Sequence, residues 1–441
     1  MIKKNIYYYF LGIGGIGMSS LAKYLFDNGY KVMGYDKSRS LITDKLIKDG
    51  ISVYFEDKIK LIPENFTKEI TEVIYTPAIP SDNNQYNFFI QNGYIIKKRA
   101  VLLAEITKNS TLFAVAGTHG KTTTASILAH LFEHANLKFT AFIGGILNSE
   151  ESNLVHRGTK YMIVEADEYD RSFLNLFPDY SCITALDPDH LDIYGSHLKM
   201  KIAYNKFSKK NSNKIVVADG LSIEGINYSL TRKVEYFCSN IRIRQFGYCF
   251  DINTPTNTYK NIFLNVIGEH NLLNALGAVA LMDIAGLNLR EALSGLAKYQ
   301  GVKRRMEVFK YNGKIIIDDY AHHPEEIKAV LETTKSFFKG KVNKVIFQPH
   351  LFSRTKDFMT EFADVLSKFD EVVLMEIYPA RELPIQGVNS RALLDKIDNP
   401  NKKIIAENEF ISNIEEIGAE LILTLGAGDI ANSSQKLKEV V

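Results

Sequence analysis

A lysine and a threonine follow a glycine turn in the segment GTHGKTT, residues 117–123. In a phosphate-binding loop, such a lysine reaches the β- and γ-phosphates, and the hydroxyl after it ligates Mg²⁺. Lys121 and Thr122 have these types in this order. The usual pattern has its first glycine where Val115 stands here, and Gly117 comes two places later. We expect the backbone N–H groups of this shorter turn to bind phosphate oxygens, the alternative being a turn that only begins a helix.

Acidic residues and a histidine follow two apolar runs farther along the chain. Glu165 ends the run YMIVE, and His190 follows the run SCITALD. Carboxylate and hydroxyl oxygens are the ligands that Mg²⁺ prefers, and a neutral imidazole can also ligate it. We therefore predict a magnesium site formed by Thr122, Glu165 and His190. The alternatives are a packed or capping role for His190 and a solvated acidic loop for the acids after Glu165, Asp170 above all.

A second glycine-rich turn, GIGGIG, occupies residues 12–17, and Asp36 follows the next apolar run. Glycines at this spacing let the backbone approach a diphosphate at a helix N-terminus, and an acid in this place binds a ribose. By itself, the pattern is typical of a dinucleotide-dependent dehydrogenase. A tight turn without a ligand is the other alternative.

Several polar clusters follow in the second half of the chain. The segment GEHNLLNALGAV carries Asn271 and Asn274 three residues apart on one helix face, where their amides could pair with an adenine edge. Helix capping by Asn271 alone is the alternative. The pair Arg304 and Arg305 lies next to an expected domain boundary, where an arginine can reach phosphates when domains close, although such pairs are usually solvated.

Two later segments, DDYAHHPEE and FQPHLFSRT, also join apolar runs to expected helices. The adjacent histidines of the first segment suggest a metal, but no further histidine lies at ligand spacing. We therefore favour hydrogen bonding and charge placement for His323. Arg354 in the second segment has the geometry to bind a substrate carboxylate with two hydrogen bonds.

Parallel strands alternating with helices must position these residues. The 441 residues exceed what one core usually holds, and apolar runs alternate with amphipathic stretches throughout, which predicts an α/β fold. We predict three domains, residues 1–108, 109–301 and 302–441. The net charge of +2 gives no signal for nucleic acid or membrane, and three cysteines without a CxxC motif fit a reducing compartment. We interpret the first apolar segment, IYYYFLG, as a strand rather than part of a signal peptide.

Taken together, the motifs resemble those of the Mur ligase family. They occur in that family's order: GTHGKTTT, EADEYDRSF, DPDHLDIYG, GEHNLLNA, RRME, DDYAHHPEEI, FQPHLFSRTKD, IYPARE and GAGD. The resemblance covers residues 12–429 and implies three domains: a Rossmann-like domain that binds UDP, a central P-loop-type ATPase domain, and a C-terminal Rossmann-like domain that carries the amino-acid contacts. It also implies that the first glycine loop holds UDP rather than NAD.

The resemblance implies an ADP-forming ligase of peptidoglycan synthesis, located in the cytoplasm. The segments GIGGIGMSSLA and IYPARE are most similar to the family member that joins L-alanine to the lactyl carboxylate of UDP-N-acetylmuramate. The alternative is the recycling relative, which adds a whole peptide. The implied partners are UDP-N-acetylmuramate, L-alanine and ATP, with Mg²⁺ as cofactor, without nucleic acid or membrane, in a monomer or homodimer.

The resemblance also implies roles for individual residues. The implied catalytic residues are Lys121, Glu165, His190, His323 and Arg354. The implied ATP-binding residues are Gly117, Thr118, His119, Gly120, Lys121, Thr122, Thr123, His270, Asn271, Asn274, Arg305 and Asp319. The implied UDP-sugar-binding residues are Gly12, Gly14, Gly15, Gly17, Met18, Ser19, Asp36 and Ser81. Two positions depart from the family: Leu351 stands where an arginine is common, and Tyr204 stands where several relatives carbamylate a lysine, so we predict no such modification.

Overall fold

The computed structural model describes residues 6–187, 191–210, 214–380, 382–416 and 418–439. Within these residues the strands form three sheets, of five, ten and six strands. The backbone divides into two compact units. The first comprises Met1–Ile241, Cys249–Leu264 and Leu273–Gln300, and the second comprises Arg242–Tyr248, Asn265–Leu272 and Gly301–Val441.

The first sheet is parallel and has the strand order β3-β2-β1-β4-β5. Its elements are β1 (Tyr7–Leu11), α1 (Ile16–Asp27), β2 (Lys31–Tyr35), α2 (Leu41–Lys48), β3 (Ser52–Tyr54), β4 (Thr71–Tyr75), α3 (Asn84–Gln91), β5 (Ile95–Lys98) and α4 (Arg99–Thr107). The interpretation of IYYYFLG as a strand is confirmed, and Tyr9, Phe10 and Leu11 of β1 are fully buried. The strand order reverses direction beside β1, and ligands of open α/β sheets bind at such a point. The loop at residues 12–17 follows β1 there.

The second sheet contains the phosphate-loop segment near its centre, in the order β15-β14-β13-β12-β11-β10-β6-β9-β7-β8. Its strands are β6 (Thr111–Ala116), β7 (Phe139–Leu147), β8 (Ser152–His156), β9 (Tyr161–Glu165), β10 (Tyr180–Ile183), β11 (Ile215–Ala218), β12 (Ile226–Ser229), β13 (Tyr236–Arg244), β14 (Gly247–Asn253) and β15 (Thr258–Leu264). The helices of this part of the chain are α5 (Lys121–His134), α6 (Leu191–Tyr194), α7 (His197–Ser208), α8 (Glu269–Ile284) and α9 (Leu289–Leu293). Strand β6 pairs in parallel with β9 on one side and β10 on the other, so three strand ends meet beside the loop at residues 117–120.

The third sheet lies in the second unit and has the order β16-β17-β21-β18-β19-β20. Its elements are β16 (Glu307–Tyr311), β17 (Lys314–Asp319), α10 (Pro324–Phe337), β18 (Asn343–Phe347), α11 (Phe352–Asp357), α12 (Met359–Leu366), β19 (Glu371–Leu374), α13 (Ser390–Lys396), β20 (Lys402–Ile404), α14 (Phe410–Glu415), β21 (Leu421–Leu425) and α15 (Ile430–Glu439). The apolar runs that lead into DDYAHHPEE and FQPHLFSRT form strands β17 and β18. Among the described strands of this sheet, only the edge strand β16 is antiparallel to its neighbour.

Short 3₁₀ helices complete the described elements, at Ile59–Leu61, Tyr169–Asn175, Leu296–Lys298 and Glu407–Glu409. The α/β fold class predicted from the alternating pattern is confirmed. Among the helices that the structure describes, none is long and apolar enough to cross a membrane.

Candidate active site

The loop after β6 explains why its first glycine comes late. Val115 lies inside β6, fully buried and paired with Glu165 on β9 and Cys182 on β10, so the chain is still a strand there. The turn begins at Gly117, whose φ is 142°, and a Cβ on Gly117 would lie 2.1 Å from the Thr184 hydroxyl oxygen. A side chain is therefore excluded at position 117 by both backbone conformation and space.

Lys121 is the first residue of α5, and Gly120 before it has a φ of 82°. The Lys121 ammonium donates to the carbonyl oxygens of Gly117 at 2.6 Å and Thr118 at 3.4 Å, and to a carboxylate oxygen of Glu168 at 2.9 Å. Burial lowers the pKa of Lys121, but the Glu168 and Glu165 carboxylates together raise it by more. The pKa of Lys121 therefore lies above its usual value. Lys121 is therefore a fixed positive charge at the loop.

Thr122 and Glu165 meet at the ends of α5 and β9. The Thr122 hydroxyl lies 2.9 Å from both carboxylate oxygens of Glu165, and the backbone N–H of Gly144 donates to one of them at 2.8 Å. A Cβ on Gly144 would lie 2.3 Å from that oxygen, so Gly144 leaves room for the carboxylate. The hydroxyl and the carboxylate are hard oxygen donors that converge on one place, which fits Mg²⁺.

The third predicted metal ligand, His190, lies outside the described residues. Among the residues that are described, no group of three His, Cys, Asp or Glu side chains could hold a metal by itself. The structure therefore brings together two of the three predicted ligands, Thr122 and Glu165.

The rest of the loop is held by residues that directly follow strand β10. Thr184 donates to the carbonyl oxygen of His119, and the Thr118 hydroxyl accepts from the backbone N–H of Asp187 at 3.0 Å. The His119 ring nitrogen Nε2 lies 3.7 Å from an Asp187 carboxylate oxygen. These contacts shape the turn and leave the ring of His119 beside an acid.

Asn274 lies against the loop, as its predicted role requires. It is 6% exposed, and a Cβ on Gly120 would lie 2.4 Å from its amide oxygen. Asn271 is also buried, and its amide donates to the carbonyl oxygen of Ile267 at 2.8 Å. Because the Asn271 amide donates this bond to a carbonyl oxygen, it does not cap the N–H groups of α8, and the adenine-binding role of Asn271 and Asn274 stays a prediction.

The first glycine loop is organised by Asp36. The carboxylate of Asp36 accepts from the backbone N–H of Gly14 at 2.7 Å, which ties the end of β2 to the loop. Gly12 has a φ of 82°, a conformation that side chains rarely adopt. Met18 and Ser19 are each 2% exposed, and the Ser19 hydroxyl donates to the carbonyl oxygen of Ile16 at 3.0 Å. The backbone N–H groups of both residues donate to the Gly15 carbonyl oxygen at 2.9 Å, so Met18 and Ser19 form the first turn of α1.

The remaining residues of this predicted set lie around the same strand ends. Gly15 ends the turn and is the N-cap of α1, and its backbone N–H donates to the Gly12 carbonyl oxygen at 3.2 Å. Ser81 is exposed in the loop between β4 and α3. Both positions lie after β1 and β4, the two strands between which the sheet reverses its order.

Arg99 connects the first glycine loop to the acidic loop after β9, and sequence reasoning gave it no role. A Cβ on Gly17 would lie 2.4 Å from a guanidinium nitrogen of Arg99, and the other terminal nitrogen donates to Asp167 at 2.7 Å. The neighbouring Lys98 pairs with Asp170 at 2.7 Å, so that acid has a specific partner rather than solvent alone. The adjacent basic residues Lys98 and Arg99 at the start of α4 were the available signal.

In the second unit, Asp319 ends β17 and organises the chain before β16. Its carboxylate accepts from the backbone N–H groups of Met306 at 2.6 Å and Ala321 at 2.7 Å. Burial raises the pKa of Asp319 to about 6, although the Arg305 guanidinium opposes the shift. The Arg305 guanidinium lies 4.9 Å from the centre of the Tyr320 ring. Burial and Arg305 together lower the pKa of His270 to about 4, so that ring is neutral near pH 7.

His323 and Arg354 lie near the start of α10 and within α11. His323 is 6% exposed, caps α10 by accepting from the Glu325 backbone N–H at 3.4 Å, and has its ring 4.5 Å from the ring of Phe358. Arg354 has a guanidinium nitrogen 3.5 Å from a ring nitrogen of His350. The structure thus assigns His323 a capping role, and Arg354 a histidine neighbour.

Leu351, which stands where relatives often have arginine, adopts φ 72° and ψ 136° at the start of α11. A bulky side chain at positive φ is a strained conformation, and such conformations concentrate at functional sites. Its backbone N–H donates to the Tyr378 carbonyl oxygen at 2.9 Å, which holds the strained residue in place. Arg381, another candidate for a carboxylate contact, lies outside the described residues.

Tyr204 fills the position at which several relatives have a carbamylated lysine. It is fully buried in α7 and packs edge-on against Phe173, with ring centres 5.1 Å apart. Phe173 in turn stacks on Phe207 at 5.1 Å. An aromatic cluster therefore occupies this place in the core.

Comparison with protein-family models identifies three consecutive matches. The model described as Mur ligase family, catalytic domain, matches residues 7–111; the Mur ligase middle domain matches residues 115–282; and the Mur ligase, glutamate ligase domain, matches residues 304–431. The three matches follow the three sheets in chain order.

Individual relatives match over almost the whole chain. The UDP-N-acetylmuramate–L-alanine ligases of Flavobacterium johnsoniae and Flavobacterium psychrophilum are 45% and 46% identical to it, over 98% of this chain and 97% of each relative. The crystal structure of the UDP-N-acetylmuramate-alanine ligase of Thermotoga maritima matches with a TM-score of 0.85 at 29% identity, over 99% of both chains. A murein peptide ligase of Psychrobacter arcticus shares the fold, with a TM-score of 0.73 at 20% identity over 98% of both chains. The chain belongs to the Mur ligase family.

Proposed function

We propose that the protein is an ADP-forming ligase that joins L-alanine to the lactyl carboxylate of UDP-N-acetylmuramate. The observation that carries this proposal is the pairing of Lys121 with Glu168 and of Thr122 with Glu165, which builds a phosphate-and-metal site in a Mur ligase chain. The Flavobacterium relatives, named for this reaction, support the choice of L-alanine.

The first step brings two anions together. The lactyl carboxylate attacks the γ-phosphate of ATP, which gives an acyl phosphate and ADP. Lys121 lowers the repulsion because its ammonium stays charged in the site, and such fixed charges act most strongly where water is excluded. The Thr118 N–H donates to the Ala185 carbonyl oxygen, and the other N–H groups of the Gly117–Gly120 turn would hold the phosphate oxygens.

Thr122 and Glu165 would hold one Mg²⁺, and Glu165 and His190 would lie near a second. The metal would neutralise charge on the phosphates of ATP. Gly144 keeps the Glu165 carboxylate in place through its N–H, and Thr122 is fixed in the first turn of α5. These two anchors hold the donors ready before a nucleotide arrives.

In the second step, the amine of L-alanine attacks the acyl carbon, and phosphate leaves from the tetrahedral intermediate. We assign Arg354 to the carboxylate of the amino acid, since a guanidinium can bind a carboxylate with two hydrogen bonds. His323 would orient the amino acid or the charged intermediate. His270, Asn271, Asn274, Arg305 and Asp319 complete the proposed ATP site.

We assign residues 1–108 to the UDP-sugar, 109–301 to ATP and Mg²⁺, and 302–441 to the amino acid. The Asp36 contact to Gly14 and the positive φ of Gly12 support the first assignment. We place the reaction in the cytoplasm, where ATP and the sugar nucleotide are available.

Phosphate release tests the proposed reaction. The protein is incubated with UDP-N-acetylmuramate, ATP and Mg²⁺, and L-alanine, glycine, L-serine or an L-alanyl tripeptide is added in separate reactions. We expect release with L-alanine and none without the sugar nucleotide. Release with the tripeptide alone would identify the recycling activity, and release without any amino acid would identify an ATPase of another kind.

A further inference from the structure

Glu168 is a buried acid whose partner is the lysine of the phosphate loop. Its side chain is 1% exposed, and the Lys121 ammonium lies 2.9 Å from each of its carboxylate oxygens. Lysine has three N–H donors, and in Lys121 they bond to Glu168 and to the carbonyl oxygens of Gly117 and Thr118. Every donor of the ammonium therefore points back into the protein rather than towards a ligand.

The backbone around Glu168 is held from several sides. Its carbonyl oxygen accepts from the Tyr194 hydroxyl at 2.7 Å and from the Arg171 backbone N–H at 2.9 Å. The Asp167 carboxylate before it is bound by Arg99 and by the Tyr169 backbone N–H at 3.0 Å. Because Glu168 is anchored in this way, the long side chain of Lys121 is the partner that moves when the pair opens.

We propose that Glu168 is a positioning residue for Lys121, which holds the ammonium turned into the loop so that the phosphates of ATP must compete with it. The inference rests on the proposed function, since it takes ATP as the ligand of this loop. An incoming phosphate gains an N–H of Lys121 only when a bond to Glu168, Gly117 or Thr118 is released. Glu168 and Glu165 both act on the charge of Lys121, so ATP without a divalent cation meets two acids and one ammonium whose charge they balance.

The test measures ATP binding by isothermal titration calorimetry, with EDTA and with Mg²⁺, in the absence of the other substrates. In EDTA, we expect E168Q to bind ATP about tenfold more tightly than the wild type, or about 1.4 kcal/mol, because the phosphate no longer has to displace a hydrogen bond between two charged groups. The matched control is D170N, which removes a charge from the same loop at an exposed pair with Lys98 and should change affinity by about twofold. Unchanged or weaker binding by E168Q would overturn the proposal.

A second background shows whether Glu168 acts through the lysine. In a K121M protein, E168Q should change ATP affinity by about twofold or less, since the residue that Glu168 positions is gone. A tenfold effect in that background would show that Glu168 acts on ATP directly through its charge, and would overturn the positioning role. Steady-state kinetics gives an independent readout: E168Q should lower both the KM for ATP and kcat, whereas a purely structural role would raise KM.

Two further outcomes are separable. If E168Q does not fold, E168D is used instead, because it keeps the buried charge but moves the carboxylate away from Lys121 by one methylene. We expect E168D to bind ATP about threefold more tightly than the wild type in EDTA, and unchanged ATP affinity would contradict the proposal. If the wild-type protein binds no ATP even with Mg²⁺, the proposed function fails. If it binds Mg²⁺-ATP but E168Q equals the wild type, only the inference about Glu168 fails.

Discussion

Replacing Gly144 by alanine should damage the metal site without damaging the fold. Gly144 is exposed in β7 and has no positive φ, so alanine can adopt its backbone conformation. The new methyl carbon would lie 2.3 Å from one Glu165 carboxylate oxygen and 2.7 Å from its carboxyl carbon. Van der Waals contact between such atoms needs ~3.5 Å, so the carboxylate must move by about 1 Å.

That displacement acts directly on the proposed chemistry. Glu165 would lose its bonds to the Thr122 hydroxyl, at 2.9 Å, and to the Gly144 N–H, at 2.8 Å. A misplacement of about 1 Å in a catalytic site can reduce the rate about 100-fold, and we expect kcat/KM for ATP to fall by about that factor. The melting temperature should stay near that of the wild type.

The assay is coupled ADP release at varied Mg²⁺ concentration, with circular dichroism melting as the control for folding. A rescue variant sharpens the test: E165D in the G144A background shortens the acid by one methylene and makes room for the methyl group. The double variant should be more active than the product of the two single effects predicts. Wild-type activity of G144A at every Mg²⁺ concentration would refute the placement of Glu165 in the metal site.

Three further predictions follow from individual residues. K121A should nearly abolish turnover but leave UDP-sugar binding, measured by calorimetry, intact. Loss of that binding in a folded variant would show that the two nucleotides are not divided between the domains as we propose. His270 has a pKa of about 4 in the folded protein against ~6.5 in the unfolded chain, so the unfolded chain binds more protons between these pH values and stability falls as pH drops through this window. Urea unfolding at pH 7.5 and at pH 5 should show a smaller loss of unfolding free energy in H270Q than in the wild type, and equal losses would contradict the pKa shift. L351G should raise the free energy of unfolding by about 1 kcal/mol over L351A, because only glycine relieves the positive φ, and a less stable L351G would show that Leu351 is not strained.

The motifs of the chain were sufficient to identify the family and the α/β class, and the structure and the relatives confirm both. The reason is local: the type and spacing of GTHGKTT and of YMIVE follow from a strand, a turn and a helix that are adjacent in sequence. The strand run, the turn glycine Gly117 and the first helical residue Lys121 all lie within one short segment. Residue roles that depend only on such short segments can be predicted from the sequence before the fold is known.

The contacts of Glu168 could not be read in this way. Its place in EADEYD suggests an acid near the site, but nothing in the sequence pairs it with Lys121, 47 residues earlier. The parallel pairing of β6 with β9 brings the two loops together, and burial then requires each charge to have a partner. Arg99 was missed for the same reason, because Asp167 lies 68 residues away.

The sequence by itself determined the strand-turn-helix segments and the kinds of chemical group they carry, since backbone preferences and apolar periodicity act over a few residues. Only the tertiary structure decided which groups share a site. Gly144 shows the difference most clearly, because it is an unremarkable glycine in a β-strand until the neighbouring strand places the Glu165 carboxylate where its side chain would be. The space and the charge around a residue in a folded site depend on neighbours that are distant in the sequence.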